Sequence, residues 1–420
     1  MMKFQDLSNK TIAIWGMGKE GVAVQQILEQ HTLGCQFLII TEENTSDILK
    51  ADVLVKSPGV SLYRQEIQEA IQKGVICTSG TNIFFSNKPD QTKVIAVTGT
   101  KGKSTTSSLL FHTLKTLGAN VGLAGNIGKP LVLCLEEKND FIIAELSSYQ
   151  TADLKGDVEI AILTNLYPEH LQWHETHERY YDDKINLLNQ SKQAIVNAQH
   201  EKSLLKTSHL KNRLFFNKSD SIYHKDGLFY ENDTPLFETA SLPLKGEHNI
   251  ENACAVLCAL KQLGYPLQEA EKAFKTFTPL PHRLQILGQK DKITYVDDSI
   301  STTPETAIAA VKAFLNHPFI TLIVGGMDRG QDYNELASFL SDIKDKICLI
   351  TLPDTGFKAY QAAKKRDIFC LNAQDMSEAV ALAKTYTKEN GVVLLSPGAP
   401  SYNLYKNFEE RGQDFEKNVF

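Results

Sequence analysis

The residues whose types and spacing could do chemistry begin with the segment Thr98–Thr105, which reads Thr-Gly-Thr-Lys-Gly-Lys-Ser-Thr. The apolar run Val94–Val97 before it predicts a buried strand, and a helix is predicted to begin at Ser104. Glycines let backbone N–H groups approach an anion, and a helix N-terminus adds partial positive charge. In this phosphate-loop interpretation, Lys103 would reach the terminal phosphates and the Ser104 hydroxyl would bind Mg²⁺.

The glycine spacing departs from the full P-loop pattern. That pattern has a glycine five residues before Gly102, where this chain has Val97. The loop is therefore a shorter Gly-x-x-Gly-Lys-Ser form flanked by threonines, and a chance glycine turn is the alternative. The predicted strand before the loop and the predicted helix after it favour nucleotide binding.

Metal-binding side chains follow two further predicted strands. Glu145 ends the strand that begins at Phe141, and His170 follows the strand Ile160–Leu163. Ligands of open parallel sheets bind at this edge, where oxygen and imidazole groups can hold a divalent cation. The alternative for His170 is a surface loop histidine. We interpret His174 and His177 as surface residues, and Lys184, from its neighbours alone, as a solvated lysine.

Other α/β segments flank this centre. Before it, the strand Thr11–Trp15 leads into Gly16–Gly21, which matches Gly-x-Gly-x-x-Gly, and Glu42 and Glu43 follow the next strand. This fingerprint predicts a small Rossmann-like domain that could hold NAD or the phosphates of another nucleotide-linked ligand. After the centre, residues 200–240 are predicted to be loops or short hairpins.

Strand–helix alternation resumes near the C-terminus. The strand Ile293–Val296 delivers Asp297 and Asp298, and another strand ends at the polar segment Ser396–Tyr402. The predicted class is therefore α/β with three domains, namely a Rossmann-like domain, a P-loop-type central ATPase domain and a second Rossmann-like domain. Their predicted limits are residues 1–91, 92–279 and 280–420.

Composition excludes several classes of protein. The 420 residues carry a net charge of −6 without a basic block, which argues against a nucleic-acid partner. The N-terminus lacks the apolar core of a signal peptide, and no apolar run approaches membrane-spanning length. Seven scattered cysteines suit a reducing compartment. We expect a cytoplasmic monomer that does not insert into a membrane.

Taken together, the motifs resemble the Mur ligases, ATP-dependent amide-forming enzymes of peptidoglycan precursor synthesis. They follow the family order across all three predicted domains, and the second and last of them favour the glutamate-adding branch. The motifs are Thr98–Thr105, Glu145–Gln150, Gly246–Asn252, Pro281–Arg283, Asp298–Ser299, and the block from Leu395–Pro397 to Asn407–Gly412.

The resemblance implies roles for individual residues. Lys103, His170 and Lys184 would be catalytic, with Lys184 at the position where family members carry a carbamylated lysine. ATP would contact Gly99, Thr100, Lys101, Gly102, Lys103, Ser104, Thr105, Asn249, Asn252, Arg283 and Asp298. Mg²⁺ would be held by Ser104, Glu145, His170 and the modified Lys184. The UDP-linked substrate would contact Gly16, Gly18, Lys19, Glu20, Thr41, Gly59, Asn126 and His170, and glutamate would contact Thr302, Arg329, Ser401, Tyr402 and Phe408.

The implied reaction adds D-glutamate to UDP-N-acetylmuramoyl-L-alanine through an acyl phosphate, with the third domain closing on ATP. One departure bears on the amino acid. Familiar relatives have Asp-Ser-Lys where this chain has Asp298-Ser299-Ile300, so a lysine that helps bind a glutamate carboxylate is missing. Arg329 or Lys406 could replace it. Since a related branch adds L-glutamate, ligation of L-glutamate is the alternative.

Three other functions stay open at this point. One is another ligase of the same superfamily, such as a folylpolyglutamate synthase, although the extra N-terminal α/β domain argues against it. Another is an NAD-dependent oxidoreductase that uses the Gly16–Gly21 fingerprint. The last is an ATP-binding sensor or scaffold, which the joint presence of Glu145, His170, Lys184 and Asp298 disfavours.

Overall fold

A computed structural model describes residues 2–169, 171–244 and 246–420. The chain forms two compact units. The first comprises Met1–Leu242 with His248–Phe277, and the second comprises Pro243–Glu247 with Thr278–Phe420. The first unit contains two of the three β-sheets, and the second contains the third.

The N-terminal sheet has four parallel strands in the order β2-β1-β3-β4. Parallel strands need crossover connections, and most of those in this sheet are helical. The elements are α1 (Phe4–Leu7), β1 (Thr11–Trp15), α2 (Lys19–His31), β2 (Gln36–Ile40), β3 (Val53–Lys56), α3 (Gln65–Gln72), β4 (Ile76–Ser79) and α4 (Gly80–Asn87), with a 3₁₀ helix at Thr45–Lys50.

The central sheet has nine strands in the order β13-β12-β11-β10-β9-β8-β5-β7-β6. It is parallel except for the pairs β11–β12 and β12–β13. Its elements are β5 (Lys93–Thr98), α5 (Lys103–Thr116), β6 (Val121–Gly125), β7 (Phe141–Glu145), α6 (Ser148–Thr151), β8 (Val158–Leu163), α7 (Leu171–His174), α8 (His177–Asn189), β9 (Ser191–Asn197), α9 (Glu201–Lys206), β10 (Arg213–Phe216), β11 (Ile222–Lys225), β12 (Leu228–Glu231), β13 (Thr234–Glu238), α10 (Glu247–Gln262) and α11 (Ala270–Thr276), with 3₁₀ turns at Leu131–Glu136, Thr239–Ser241 and Leu267–Glu269.

The C-terminal sheet has six strands in the order β14-β15-β19-β16-β17-β18, and only the β14–β15 pair is antiparallel. Its elements are β14 (Gln285–Lys290), β15 (Ile293–Asp297), α12 (Pro304–Lys312), β16 (Ile320–Gly326), α13 (Asn334–Ser341), β17 (Ile347–Asp354), α14 (Thr355–Lys364), β18 (Cys370–Asn372), α15 (Met376–Tyr386), β19 (Val392–Leu395) and α16 (Phe408–Val419), with a 3₁₀ turn at Lys344–Lys346.

Strand β5 leads directly into the phosphate loop. It lies between β7 and β8, and Val94–Val97 are buried on both faces of the sheet. Near-continuous apolar runs are typical of such doubly covered parallel strands. The loop therefore starts from a buried strand that is paired on both sides.

Residues 200–240 form more structure than the sequence indicated. Strand β10 extends the parallel sheet beside β9, and β11 to β13 add an antiparallel ribbon. Short strands of mixed polarity give a weak periodic signal, so their pairing depends on contacts that sequence alone does not reveal. In the part of the chain that the structure describes, no helix is both long and apolar enough to cross a membrane.

Gly412 in α16 is held against a buried pair on β15 and the loop before β14. His282 Nδ1 lies 2.6 Å from Asp297 Oδ2, and this hydrogen bond raises the pKa of His282. A Cβ at Gly412 would overlap both partners. Gly412→Ala, normally worth about 1 kcal/mol of helix stability, is instead expected to destabilise the second unit by about 2 kcal/mol.

Thermal unfolding tests this expectation. The matched control is Gln413→Ala, at the exposed next position of the same helix. A lower midpoint for Gly412→Ala but not for the control is expected, and equal midpoints for both variants would contradict the packing argument.

Candidate active site

The phosphate loop connects β5 to α5. Gly102 precedes the helix in the left-handed conformation, with φ of 83°, and Gly99 has φ of 145°. A side chain at Gly99 would overlap the Thr164 hydroxyl, and one at Gly102 would lie 2.6 Å from Asn252 Oδ1. These positions need glycine both for backbone conformation and for space.

Two lysines converge on one carbonyl of this loop. Lys103 Nζ donates to the carbonyl oxygens of Gly99 and Thr100 at 3.0 and 2.9 Å. Lys184 Nζ, from α8, donates to the same Gly99 oxygen at 2.7 Å. Lys184 is only 2% exposed, so its interpretation as a solvated lysine is wrong. Burial, followed by the Lys103 ammonium, lowers the pKa of Lys184 well below its usual range.

Glu145 ends β7 beside the loop and is fully buried. Asn126 Nδ2 donates to Glu145 Oε1 at 2.8 Å, and the Asn126 backbone N–H donates to the Glu145 carbonyl at the same distance. The other carboxylate oxygen, Oε2, has no hydrogen-bond partner among the described residues. A buried carboxylate oxygen without a partner is costly, and a bound cation would satisfy it.

His170 lies outside the described residues, so the structure does not place this predicted metal ligand. Within 2–169, 171–244 and 246–420, no group of three or more His, Cys, Asp and Glu side chains is arranged to hold a metal. Of the four predicted metal ligands, the structure describes Ser104, Glu145 and Lys184.

The other predicted ATP residues of the first unit surround the loop. Ser104 and Thr105 lie in the first turn of α5, and Lys101 forms an ion pair with Glu169. Asn249 and Asn252 are buried on α10, with 3.5 Å between Asn252 Nδ2 and Asn249 Oδ1. Since Asn252 also abuts Gly102, α10 contributes directly to the edge of the loop.

Six of the residues predicted to hold the UDP-linked substrate follow β1, β2 and β3, whereas Asn126 follows β6 and His170 lies outside the described residues. Gly16 has φ of 97°, and its carbonyl accepts a hydrogen bond from Ser57 Oγ. Four further residues that follow these strands are exposed, namely Gly18, Lys19, Thr41 and Gly59. Because β1 is paired with both β2 and β3, these positions share one sheet edge.

Glu20 differs from these exposed positions, because its carboxylate accepts a hydrogen bond from Gln150 of α6 in the next domain. Gln150 Nε2 donates to Glu20 Oε1 at 2.6 Å, and burial raises the pKa of Glu20 to about 7. The structure thus places Glu20 beside the Glu145–Gln150 motif of the central sheet.

In the second unit, Asp298 is buried directly after β15. Ser396 Oγ donates to Asp298 Oδ2 at 2.7 Å, and the Leu284 N–H donates to Oδ1 at 3.2 Å. Burial raises the pKa of Asp298 to about 7, although these bonds and the nearby Arg283 guanidinium oppose the shift. Arg283 and Asp298 therefore belong to one local arrangement, in a different unit from Lys103.

Four of the five predicted glutamate residues lie in loops of this second unit, and the fifth, Phe408, begins α16. The Arg329 guanidinium lies 5.7 Å from the centre of the exposed Tyr402 ring, and Ser401 is buried beside it in sequence. The Phe408 carbonyl accepts a hydrogen bond from Ser299 Oγ at 2.8 Å, and Thr302 is exposed. Arg329 and Tyr402 thus form one cationic and aromatic surface.

His174, interpreted above as a surface residue, is fully buried, and that interpretation is wrong. Its ring nitrogens contact Asp183, nine positions later, and Ser148, 26 positions earlier. The apolar Trp173 directly before it is also buried, but the polar segment Glu175–Glu178 after it resembles a surface loop. His177, by contrast, is exposed.

A cavity of about 450 Å³ in the second unit contains none of these residues. It is lined by Ile286, Gly288, Gln289, Thr294, Ala313, Phe314, Asn316 and His317. None of these eight lining residues is a lysine, an arginine or a carboxylate.

Comparison with known proteins connects these features. Residues 97–260 match the model of the Mur ligase middle domain, and residues 282–398 match that of the Mur ligase, glutamate ligase domain. The chain is 35% identical over 450 residues to UDP-N-acetylmuramoyl-L-alanine--L-glutamate ligase of Xanthomonas euvesicatoria pv. vesicatoria (strain 85-10), covering 99% of this chain and 96% of that protein.

A relative of the same name from Micromonospora sp. is 35% identical over 451 residues, covering 100% of this chain and 98% of that protein. Among solved structures, the chain is similar to the MurF ligase from Thermotoga maritima in complex with ADP. That match has a TM-score of 0.62 at 18% identity and covers 97% of this chain and 94% of the other. At this identity the structural match indicates the fold alone.

Proposed function

Because the chain belongs to the Mur ligase family, we propose that it joins glutamate to the free carboxylate of UDP-N-acetylmuramoyl-L-alanine, converting ATP to ADP and phosphate. The observation that carries the proposal is that Lys103 and Lys184 both donate to the phosphate loop, whose strand pairs with the strand that ends at the buried Glu145, in a chain whose relatives match it over nearly their full length. Peptidoglycan precursor synthesis in the cytoplasm is the corresponding setting.

The reaction needs two displacements. A carboxylate is a poor electrophile, so one of its oxygens first attacks the γ-phosphorus of ATP, and ADP leaves. The glutamate amine then attacks the carbonyl carbon of the acyl phosphate and loses a proton. Phosphate departs from the tetrahedral intermediate with the oxygen that came from the carboxylate.

Catalysis in this proposal is mainly positioning and charge neutralisation. Lys103 and the N-terminus of α5 face the phosphates, and Asn249 and Asn252 hold the nucleotide from α10. Arg283 and Asp298 contribute from the predicted third domain, residues 280–420. Closure of that domain on ATP would exclude water from the acyl phosphate.

Mg²⁺ fits the residues on the first unit. The fully buried Glu145 oxygen without a partner and the Ser104 hydroxyl are hard oxygen ligands, the type that Mg²⁺ prefers. His170 and a carbamylated Lys184 would complete the set. When bound, the cation would neutralise part of the negative charge of the ATP phosphates.

Glu145→Gln tests this assignment. The amide keeps the oxygen that accepts from Asn126 but loses the negative charge, so the Mg²⁺ concentration for half-maximal activity should rise about tenfold or more. The control is Glu159→Gln, whose carboxylate pairs with Lys192 on the surface. An unchanged Mg²⁺ dependence in Glu145→Gln would remove Glu145 from the metal site.

The UDP-linked substrate is proposed to bind at the shared edge of β1, β2 and β3. Its nucleotide would face Gly16, Gly18, Lys19 and Thr41. Glu20, which is hydrogen-bonded to Gln150, would contact the same substrate. Gly59 and Asn126, with His170, would lead the muramoyl group towards the phosphate loop. In this arrangement the Gly16–Gly21 fingerprint holds a nucleotide-linked substrate rather than NAD.

The amino acid is proposed to be L-glutamate. The names of the relatives cited above specify L-glutamate, which favours the alternative over the D-glutamate prediction. Arg329 is proposed to take the part of the lysine replaced by Ile300, since its guanidinium lies beside Tyr402. Thr302, Ser401 and Phe408 would complete the pocket.

Phosphate release from the purified chain tests the proposal. Release should require Mg²⁺-ATP, UDP-N-acetylmuramoyl-L-alanine and L-glutamate together, and omission of any one should abolish it. Activity with D-glutamate instead of L-glutamate would reverse the stereochemical assignment alone. Release that is independent of the UDP-linked substrate would contradict the proposed function.

A further inference from the structure

A chain of hydrogen-bonded side chains, half-buried at Tyr63 and buried at its other members, runs from the loop after β3 to the central sheet. Tyr63 donates its hydroxyl hydrogen to Asp183 Oδ1 at 2.7 Å. The other oxygen, Asp183 Oδ2, lies 2.5 Å from His174 Nδ1, and His174 Nε2 lies 2.9 Å from Ser148 Oγ. In neutral His174 the ring donates to Asp183 and accepts from Ser148.

The first end of this chain lies on the loop after β3. Tyr63 belongs to that loop, and its ring packs edge-on against Trp173, with 5.8 Å between centroids. Trp173 Nε1 donates to the Pro58 carbonyl at 3.0 Å, and Ser61 Oγ donates to the Trp173 carbonyl at 2.7 Å. The loop 57–63 is therefore fixed to α7 at three points.

The second end lies at the catalytic edge of the central sheet. Asp183 directly precedes Lys184 on α8, and Lys184 donates to the Gly99 carbonyl of the phosphate loop. Ser148 begins α6, three residues after Glu145. A displacement of Tyr63 or Asp183 would therefore change the positions of side chains on both α8 and α6.

The Ser148–His174–Asp183 order matches that of a hydrolytic triad, but the burial of these residues rules out that chemistry. Ser148 is 1% exposed and His174 is fully buried, so no substrate reaches the hydroxyl. The Tyr63 hydroxyl is protonated at neutral pH, as in any ordinary tyrosine, and burial and the contact with Asp183 raise its pKa further. The group is arranged to hold positions rather than to react.

We propose that Tyr63, Asp183 and His174 are positioning residues that couple the loop 57–63 to Lys184 and the Glu145 edge, so that the UDP-linked substrate and ATP bind cooperatively. This inference rests on the proposed function, in which Gly59 contacts the UDP-linked substrate. Coupling between two sites is reciprocal, so each ligand should tighten the binding of the other by the same factor.

Calorimetry tests this coupling on the full chain. The dissociation constant of UDP-N-acetylmuramoyl-L-alanine is measured with and without a non-hydrolysable ATP analogue and Mg²⁺. We expect about tenfold tightening in the natural chain and less than twofold in Tyr63→Phe. The matched control is Tyr223→Phe on β11, which should retain full coupling.

A kinetic readout separates positioning from general destabilisation. Tyr63→Phe should lower kcat and raise KM for ATP at saturating UDP-linked substrate, while KM for glutamate stays unchanged. Asp183→Asn should have a similar effect, and the double variant should be no worse than the stronger single variant, because both interrupt one path.

The outcomes are distinguishable. Coupling retained in Tyr63→Phe, or no coupling in the natural chain, overturns the positioning proposal while the ligase assignment stands. A natural chain that releases no phosphate with all substrates present overturns the proposed function and this inference with it. Additive effects of Tyr63→Phe and Asp183→Asn would also reject a single path.

Discussion

Lys103→Ala is expected to lower kcat/KM for ATP on the order of 10³-fold, because the ATP phosphates would lose the cation aimed at them by α5. Lys103 Nζ already lies against the loop, within 3.0 Å of two of its carbonyl oxygens. The phosphate charge that develops during transfer would then be matched by one fewer positive group. Steady-state kinetics with saturating UDP-linked substrate and glutamate measure the loss.

The matched control is Lys115→Ala in the last turn of the same helix. Lys115 is exposed and its ammonium lies over the Phe111 ring, 5.7 Å from the centroid. This variant should stay within about twofold of the natural activity, as expected for a surface substitution. A folded Lys103→Ala variant with activity near that of the control would exclude the phosphate-loop interpretation.

Lys184→Ala is expected to lower kcat about 100-fold, with partial rescue by bicarbonate or a short carboxylate such as acetate. Lys184 is buried against Gly99 and the Tyr180 ring, 5.0 Å from its centroid. Its lowered pKa favours the neutral amine, which can add to carbon dioxide and lose a proton to give a carbamate. In Lys184→Ala, an added anion would bind in the space of the missing carbamate and replace its negative charge.

The control for Lys184→Ala is Lys192→Ala, whose ammonium pairs with Glu159 at the surface. It should lose little activity and gain nothing from added anions. A carbamate carbon signal in the NMR spectrum of the natural chain, supplied with ¹³C-labelled bicarbonate, gives a direct readout. Full activity of Lys184→Ala without rescue would remove Lys184 from the mechanism.

Much of the fold could be predicted because its main strands carry local signals. The runs before Gly16, Gly99 and Asp298 are apolar, and each ends in a glycine or polar segment. The predicted three-domain α/β class, family and ATP-dependent glutamate ligation are confirmed by the matched domains and relatives. Domain limits, site residues and the chirality of glutamate stay predictions.

What the sequence did not reveal depends on contacts between distant segments. His174 is buried because α7 packs between the loop after β3 and α8, and the contacts that bury it come from residues distant in sequence. For Lys184 the sequence did carry a signal of burial. Tyr180 and Leu188 lie four positions before and after it, on the same face of α8, and all three residues are buried. The charged pair Asp182-Asp183 directly before Lys184 made the segment resemble a solvent-exposed one. The bond from Gln150 to Glu20 likewise joins residues 130 positions apart.

Transfer of isotopic oxygen tests most directly whether the carboxylate of the UDP-linked substrate is activated by ATP. UDP-N-acetylmuramoyl-L-alanine labelled with ¹⁸O in its free carboxylate is turned over with ATP and L-glutamate, and the released phosphate is examined by mass spectrometry. Phosphorylation of the carboxylate predicts one ¹⁸O atom in each phosphate. Unlabelled phosphate accompanying amide formation would contradict the acyl-phosphate mechanism.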